Sequence, residues 1–235
     1  MTPEAAPLSK KAVRILRVKG IMSGTIPVLI MGVILFLSAG TLNWPMAWVI
    51  LCVMFAATAF VTLVCSPDLI LERMHKQKGE KDWDARLVKT MNLVGLLPLL
   101  TAGLALRFGW SGQVPFVWET AALCFFLLGY GIFIWAMLTN RFFSRVVRIQ
   151  DEKDHHAVTG GPYRFVRHPG YLGFMLVVLA QPLMLGSFWA LIPGVITAGL
   201  FIVRTRREDA ALFRELPGYL EYAREVRYRL FPGIW

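Results

Sequence analysis

The sequence predicts an all-α, polytopic membrane protein with about six transmembrane helices, the last two forming a helical hairpin. Three observations carry this. First, 56% of the 235 residues are apolar and only 17% are charged, whereas a soluble domain usually carries about a quarter charged residues. Second, the apolar residues come in blocks: six stretches of roughly 16 to 23 residues lack Lys, Arg and Asp, close to the ~20 that span a bilayer. Third, basic residues fill alternate loops. Disorder, collagen and a soluble disulfide scaffold are excluded together.

The expected spans, in order, are Ile21 to Ala39, Trp44 to Cys65, Met91 to Leu106, Phe116 to Leu138, Tyr171 to Gly186 and Phe188 to Val203. Residues 1–20 hold no apolar core of the signal-peptide type, so the first span is expected to stay in the protein. Glu119 is the one acid inside a span and reads as a boundary residue beside Trp118. Between Arg167 and Arg204 no Asp, Glu, Lys or Arg occurs. A single helix over that stretch would be roughly 54 Å long at ~1.5 Å per residue, so the chain must turn, at Gly186-Ser187.

Of the 25 Lys and Arg, 24 fall on one side of this arrangement and Arg107 on the other. This positive-inside pattern expects both termini and the two long polar loops in the cytoplasm of an integral membrane protein, in the inner membrane if the source is bacterial. The net charge of +10 therefore orients the chain and requires no nucleic acid; membrane lipids are the expected surroundings. Cys52, Cys65 and Cys124 lie inside spans without His or Cys at ligand spacing, so neither metal nor disulfide is expected.

The sequence divides into N-terminal spans with an interfacial segment, 1–138, and a second region, 139–235, made of a cytosolic loop, the helical hairpin and C-terminal cytosolic helices. Residues 68–89 mix apolar and charged side chains, and their plainer reading is a solvated connector along the membrane surface. The stretch from Asn140 to Tyr171 differs in kind, holding three of the four histidines, two Tyr and six basic residues. Gly160-Gly161-Pro162 predicts a tight turn, and His168-Pro169 a helix start with Pro at the first helical position. A capped helix with an interfacial Tyr and snorkelling Arg164 and Arg167 accounts for part of this pattern. Beyond the last span, Arg204 and Glu208 share a helix face at i and i+4. As a mere surface pair they would contribute at most ~1 kcal/mol, but the hairpin returns them to the level of His168 and Tyr171.

The run His155-x-Ala157-Val158-x-x-Gly161-Pro162-Tyr163-Arg164-x-x-Arg167-His168-Pro169-x-Tyr171-x-Gly173, then a hairpin and Arg204-x-x-x-Glu208-Asp209-x-x-Leu212, resembles the isoprenylcysteine carboxyl methyltransferase family and the related phospholipid methyltransferases. The resemblance covers about residues 140–235. It implies an integral membrane enzyme that uses S-adenosylmethionine on a lipophilic acceptor from the bilayer: an isoprenylcysteine-like carboxylate, a lipid or a thiol. It also implies that His155, His156, Ala157 and Val158 line the adenosine end and that Tyr163 packs on the cofactor. His168, Pro169, Gly170 and Tyr171 would hold the cofactor's polar parts, and Glu208 its methionine portion. Arg204 would contact the acceptor, and with Glu208 make up the catalytic pair. Asp209 replaces a Glu of the family's usual pair and Ala157 a Leu, so no contact is assigned to Asp209. Two rivals are an NADPH-dependent sterol reductase and a non-enzymatic membrane scaffold. Against the first, Gly170 precedes Tyr171 where that class is expected to carry Asn; against the second, the spans are nearly free of ionisable groups.

Overall fold

The computed structural model describes residues 9–110 and 114–235, which form helices and loops with no strand. The first eight residues of the amino-terminal stretch assigned above to the cytoplasm, and residues 111–113 in the loop after Arg107, lie outside the described residues. Helix α1, Lys10–Ala39, is capped by Ser9, whose hydroxyl accepts from the Ala12 N–H at 3.3 Å, and ends at Gly40 with φ 68°. Helix α2, Pro45–Val64, opens on proline, where a missing N–H costs nothing. The short helix α3, Pro67–Met74, follows the Ser66 cap. Helices α4, Asp82–Val94, and α5, Leu97–Phe108, make one bent span, and α6 runs Phe116–Thr139. The hairpin is α7, Pro169–Met184, and α8, Leu191–Glu215; the short α9, Tyr219–Glu225, lies beyond it.

Among the described residues, four helical stretches are long and apolar enough to cross a membrane: α1, α2, the α4–α5 unit and α6. Two helix starts lie well before the sequence expectation. Helix α1 starts eleven residues before Ile21, because Lys and Arg are good helix formers whose heads can reach water while their stems stay apolar. The third span starts at Asp82 and breaks at Gly95-Leu96, because Pro98 has no N–H to offer the Val94 carbonyl. The hairpin turns where expected: Gly186 adopts φ 69°, and a Cβ there would sit 3.3 Å from Glu119 Oε1, which puts the lone span acid beside the tip.

The interior is built from Leu35, Ile50, Leu99, Phe126 and Met184, all fully buried. The spans also turn large apolar side chains outward, with Leu37 72% and Phe116 73% exposed, a surface suited to lipid. Helices α6 and α7 touch backbone to backbone. A Cβ on Gly173 would lie 2.5 Å from the Gly129 carbonyl oxygen, and one on Gly129 would lie 2.6 Å from that of Gly173. Small residues at such a contact let two helices pack in lipid by dispersion. This contact fixes the first turns of α7 against the middle of α6.

Candidate functional site

Gly161, at φ 55°, makes the tight turn expected of Gly-Gly-Pro, and a single 3-10 turn carries the chain from Gly161 to Arg164. The backbone then pairs with the carboxy-terminal segment: Arg167 N–H donates to Tyr228 O and His168 N–H to Arg229 O, both at 2.9 Å. Helix α7 starts on Pro169 directly after this clamp.

Asp209, to which the sequence assigned no contact, is the hub of the region. Its carboxylate, 1% exposed, accepts two bonds from Arg167 at 2.9 Å, one from Tyr219 OH at 2.8 Å and one from Arg229 Nε at 2.6 Å. His168 Nε2 lies 3.3 Å away. Burial alone would raise the carboxyl pKa; the hydrogen bonds from His168 and Arg167, with that of Arg229, outweigh it and hold the group far below the usual carboxylate range. Asp209 thus ties α8 to the start of α7, to α9 and to the terminal segment.

Glu208, one residue earlier and about 100° around the helix, faces differently. It is half-buried and accepts a hydrogen bond from Tyr171 OH. Among the described residues no Lys, Arg or His lies within ion-pair distance of it. Two groups lie against the Tyr171 ring: the His168 ring is parallel to it with centroids 5.8 Å apart, and the Arg204 guanidinium lies 5.0 Å from its centre. Arg204 does not pair with Glu208 at i+4. Its Nε and Nη2 each donate to Asp84 at 2.8 Å, and Nη2 also to the Arg145 carbonyl at 2.8 Å. The planar fork that an acceptor would have met is thus filled by a fully buried carboxylate.

The remaining expected residues divide into two groups. Tyr163 is buried with Leu216, Tyr219 and Tyr222, and Ala157 and Val158 pack on this cluster. Its hydroxyl accepts from Asn140 Nδ2 at 3.2 Å, while burial first and the Glu208 charge further down raise its pKa. Pro169 and Gly170 are buried at the start of α7, with Gly170 against the Phe143 ring. His155 and His156 instead pack on Phe142, at 4.4 and 5.1 Å between ring centres, and His155 Nδ1 accepts from Gln150 N–H. Burial, then the neighbouring His156 and Arg148, lower the His155 pKa to about 4. The structure therefore brings Tyr163, His168, Tyr171, Arg204 and Glu208 to one place, with Ala157 and Val158 behind Tyr163 and the two histidines at the Phe142 side. No group of three or more His, Cys, Asp or Glu that could hold a metal occurs among the described residues.

Residues 68–89 are more than a connector. Glu72, 4% exposed, takes two bonds from Arg148, at 2.7 and 2.8 Å, and one from Lys153 at 2.9 Å. Asp84 holds Arg204 and also accepts the Val147 N–H at 2.7 Å. These acids clamp the 140–153 loop and α8 together. The available signal was two carboxylates on helix faces otherwise occupied by apolar residues.

Residues 122–214 match the profile of the isoprenylcysteine carboxyl methyltransferase (ICMT) family. A protein-S-isoprenylcysteine O-methyltransferase from Schizosaccharomyces pombe is 32% identical over 170 residues, 64% of this chain and 72% of that protein. The chain belongs to the isoprenylcysteine carboxyl methyltransferase family. A probable protein-S-isoprenylcysteine O-methyltransferase of Oryza sativa subsp. indica is 32% identical over 89 residues, 37% of this chain and 47% of the relative. Protein-S-isoprenylcysteine O-methyltransferase A of Arabidopsis thaliana is 29% identical over 89 residues, 37% of this chain and 45% of its own. Membership of this family makes the chain an integral membrane methyltransferase, and the reductase and scaffold readings fall with it. The profile runs from the second turn of α6 to the end of α8, which takes in the whole cluster around Tyr171.

Proposed function

We propose that this methyltransferase transfers the methyl group of S-adenosylmethionine to the carboxylate of an isoprenylcysteine-like lipid at the cytoplasmic face of the membrane. The observation that carries the reading is Glu208: a half-buried carboxylate held by a tyrosine hydroxyl and without a cationic partner among the described residues. A carboxylate so placed suits the ammonium of the cofactor's methionine end, because a charge-assisted bond there replaces lost hydration. Tyr171 and the stacked His168 orient that carboxylate. Tyr163, with Ala157 and Val158 behind it, offers apolar surface for the adenosine, and Pro169 and Gly170 let the α7 start come close; His155 and His156 stand at the Phe142 edge. When bound, the cofactor supplies a sulfonium-activated methyl group.

The acceptor oxygen arrives already ionised, so no general base is needed, and the protein's share of the work is alignment and exclusion of water. Arg204, locked by Asp84, lies over the Tyr171 ring and helps to fix the hydroxyl that meets Glu208. The relatives' names supply the isoprenylcysteine part of this reading. Orientation rests on the 24-to-1 distribution of Lys and Arg: the hairpin tip would face outward, and an impermeant maleimide should label Phe188→Cys and Ile234→Cys from opposite sides.

The decisive assay incubates the detergent-purified protein with methyl-labelled S-adenosylmethionine and N-acetyl-S-farnesylcysteine. A base-labile methyl ester is expected. A base-stable product would move the reaction to an amine or thiol, and tight NADPH binding without methyl transfer would overturn the reading.

A further inference from the structure

A cleft of about 200 Å³ opens between α1, α2, α3 and α6, on the side of the bundle where the polar loops gather. Its walls are apolar or small: Gly24 and Pro27 of α1, Thr58 and Val61 of α2, and Phe133 and Met137 of α6. Gly20 and Gly24 sit against Thr62 and Thr58, so close that a Cβ would come within 2.8 and 2.4 Å of their methyls. At the polar end the lining changes character abruptly, to Arg73 and Arg145.

These two guanidinium groups have no carboxylate partner among the described residues. Arg145 Nη1 donates to the Arg73 carbonyl at 3.1 Å, and the Arg73 guanidinium stands 5.6 Å from the centre of the Phe143 ring. The acids nearby are committed elsewhere, Glu72 to Arg148 and Lys153, and Asp84 to Arg204. Burial, then the adjacent Arg145 charge, push the Arg73 pKa down to about 10. Arg73 is half-buried at the head of the apolar cleft and Arg145 is exposed at its rim, so an anionic head can meet both charges without displacing a carboxylate. The pair also adjoins the candidate site, because Arg204 donates to the Arg145 carbonyl while covering the Tyr171 ring.

We propose that Arg73 and Arg145 form the anion-recognising head of the acceptor site, with the cleft between α1, α2, α3 and α6 holding the acceptor's single lipid chain. The occupant is a one-chain amphiphile with a carboxylate at its head. A cleft of about 200 Å³ is smaller than the ~300–1,000 Å³ of most small-molecule pockets, which suits one slender chain and not a two-tailed lipid. Charge complementarity selects an anionic head over the zwitterionic or cationic head of an amine acceptor. Arg204, already saturated by Asp84, links this head to Tyr171 through the Arg145 carbonyl. The proposal rests on the methyl transfer described above.

The test uses the full chain in detergent with N-acetyl-S-farnesylcysteine and its uncharged carboxamide. Direct titration of the wild type with the acid, without cofactor, gives a dissociation constant that does not depend on turnover. Arg73→Gln and Arg145→Gln are each expected to weaken acid binding and raise its KM at least tenfold. Affinity for S-adenosylmethionine and for the carboxamide should change less than twofold. Arg73→Lys should recover part of the loss, since it returns the charge without the fork. Unchanged acid affinity in both Gln variants would overturn the proposal, as would equal losses for acid and carboxamide, or a wild type that does not bind the acid. Acid binding that depends on the two arginines without methyl transfer would uphold the cleft and refute the proposed reaction instead.

Discussion

Asp209 and Glu208 are adjacent carboxylates whose replacement by the matching amide should have opposite consequences. In Asp209→Asn the side chain keeps its shape but loses the charge that meets Arg167, Arg229 and Tyr219. One amide oxygen cannot accept all those bonds, and the amide nitrogen turns a donor toward donors. Breaking a buried pair in this way costs about 3–5 kcal/mol, or roughly 6–20 °C of unfolding midpoint for a chain of this size. In Glu208→Gln the contact at stake is the bond from Tyr171, and stability should fall by only about 0.5–1.5 kcal/mol. Cofactor affinity, by contrast, loses a charge-assisted bond of about 1.5–3 kcal/mol, a factor of roughly ten to a hundred. Thermal unfolding followed by tryptophan fluorescence, paired with calorimetric titration of S-adenosylmethionine, reads both quantities on one sample. If Glu208→Gln binds cofactor like the wild type while destabilising as much as Asp209→Asn, both carboxylates are structural and the reasoning fails.

Further outcomes follow from the same geometry. Gly173→Ala drives a methyl into the Gly129 carbonyl and should cost about 1–3 kcal/mol by overpacking, visible as a lower unfolding midpoint; no shift would mean that α6 and α7 separate freely. Arg204→Ala and Asp84→Ala should be strongly coupled, with a double-mutant-cycle energy of at least ~1.5 kcal/mol in unfolding; additive effects would contradict the bidentate pair. His155, whose folded pKa is lowered to about 4, stays neutral where the unfolded chain's histidine takes up a proton. Its contribution to stability is therefore complete above about pH 6.5 and lost as pH falls towards 4. His155→Phe should flatten the pH dependence of the unfolding midpoint across that window, and an unchanged profile would show that His155 does not contribute there.

The features legible in the sequence are those set by near neighbours. The Gly-Gly-Pro turn, the proline-started α7, the hairpin tip and the run of α8 past the bilayer each depend on a few consecutive residues, and the structure has them where the residues call for them. The convergence of Tyr171 with Glu208 followed from hairpin length alone. What stayed hidden were pairings between distant positions. Arg204 finds Asp84 120 residues away, and Arg148 finds Glu72 at 76. With 25 Lys and Arg available to 15 acids, no local pattern selects a partner. Two neighbouring acids, Glu208 and Asp209, likewise read as one unit until the rotation of α8 is known.

That rotation links the stability of the site to its chemistry. Successive residues on a helix point about 100° apart, so whichever way Asp209 is held determines where Glu208 aims. Four hydrogen bonds from three elements hold Asp209, and one turn earlier the bidentate bonds to Asp84 hold Arg204. Together they fix the helix at two points, and Glu208 lies between the two anchored positions with its rotation set by both. In-line methyl transfer depends on aligning acceptor, methyl and leaving sulfur within fractions of an ångström, and a membrane interface offers no rigid sheet on which to build such a site. The buried ion pairs supply that rigidity. Desolvating Asp84 and Asp209 adds little net stability compared with apolar packing, so their worth here lies in geometry: they leave Glu208, without a cation of its own among the described residues, facing Tyr171 with an unused carboxylate oxygen.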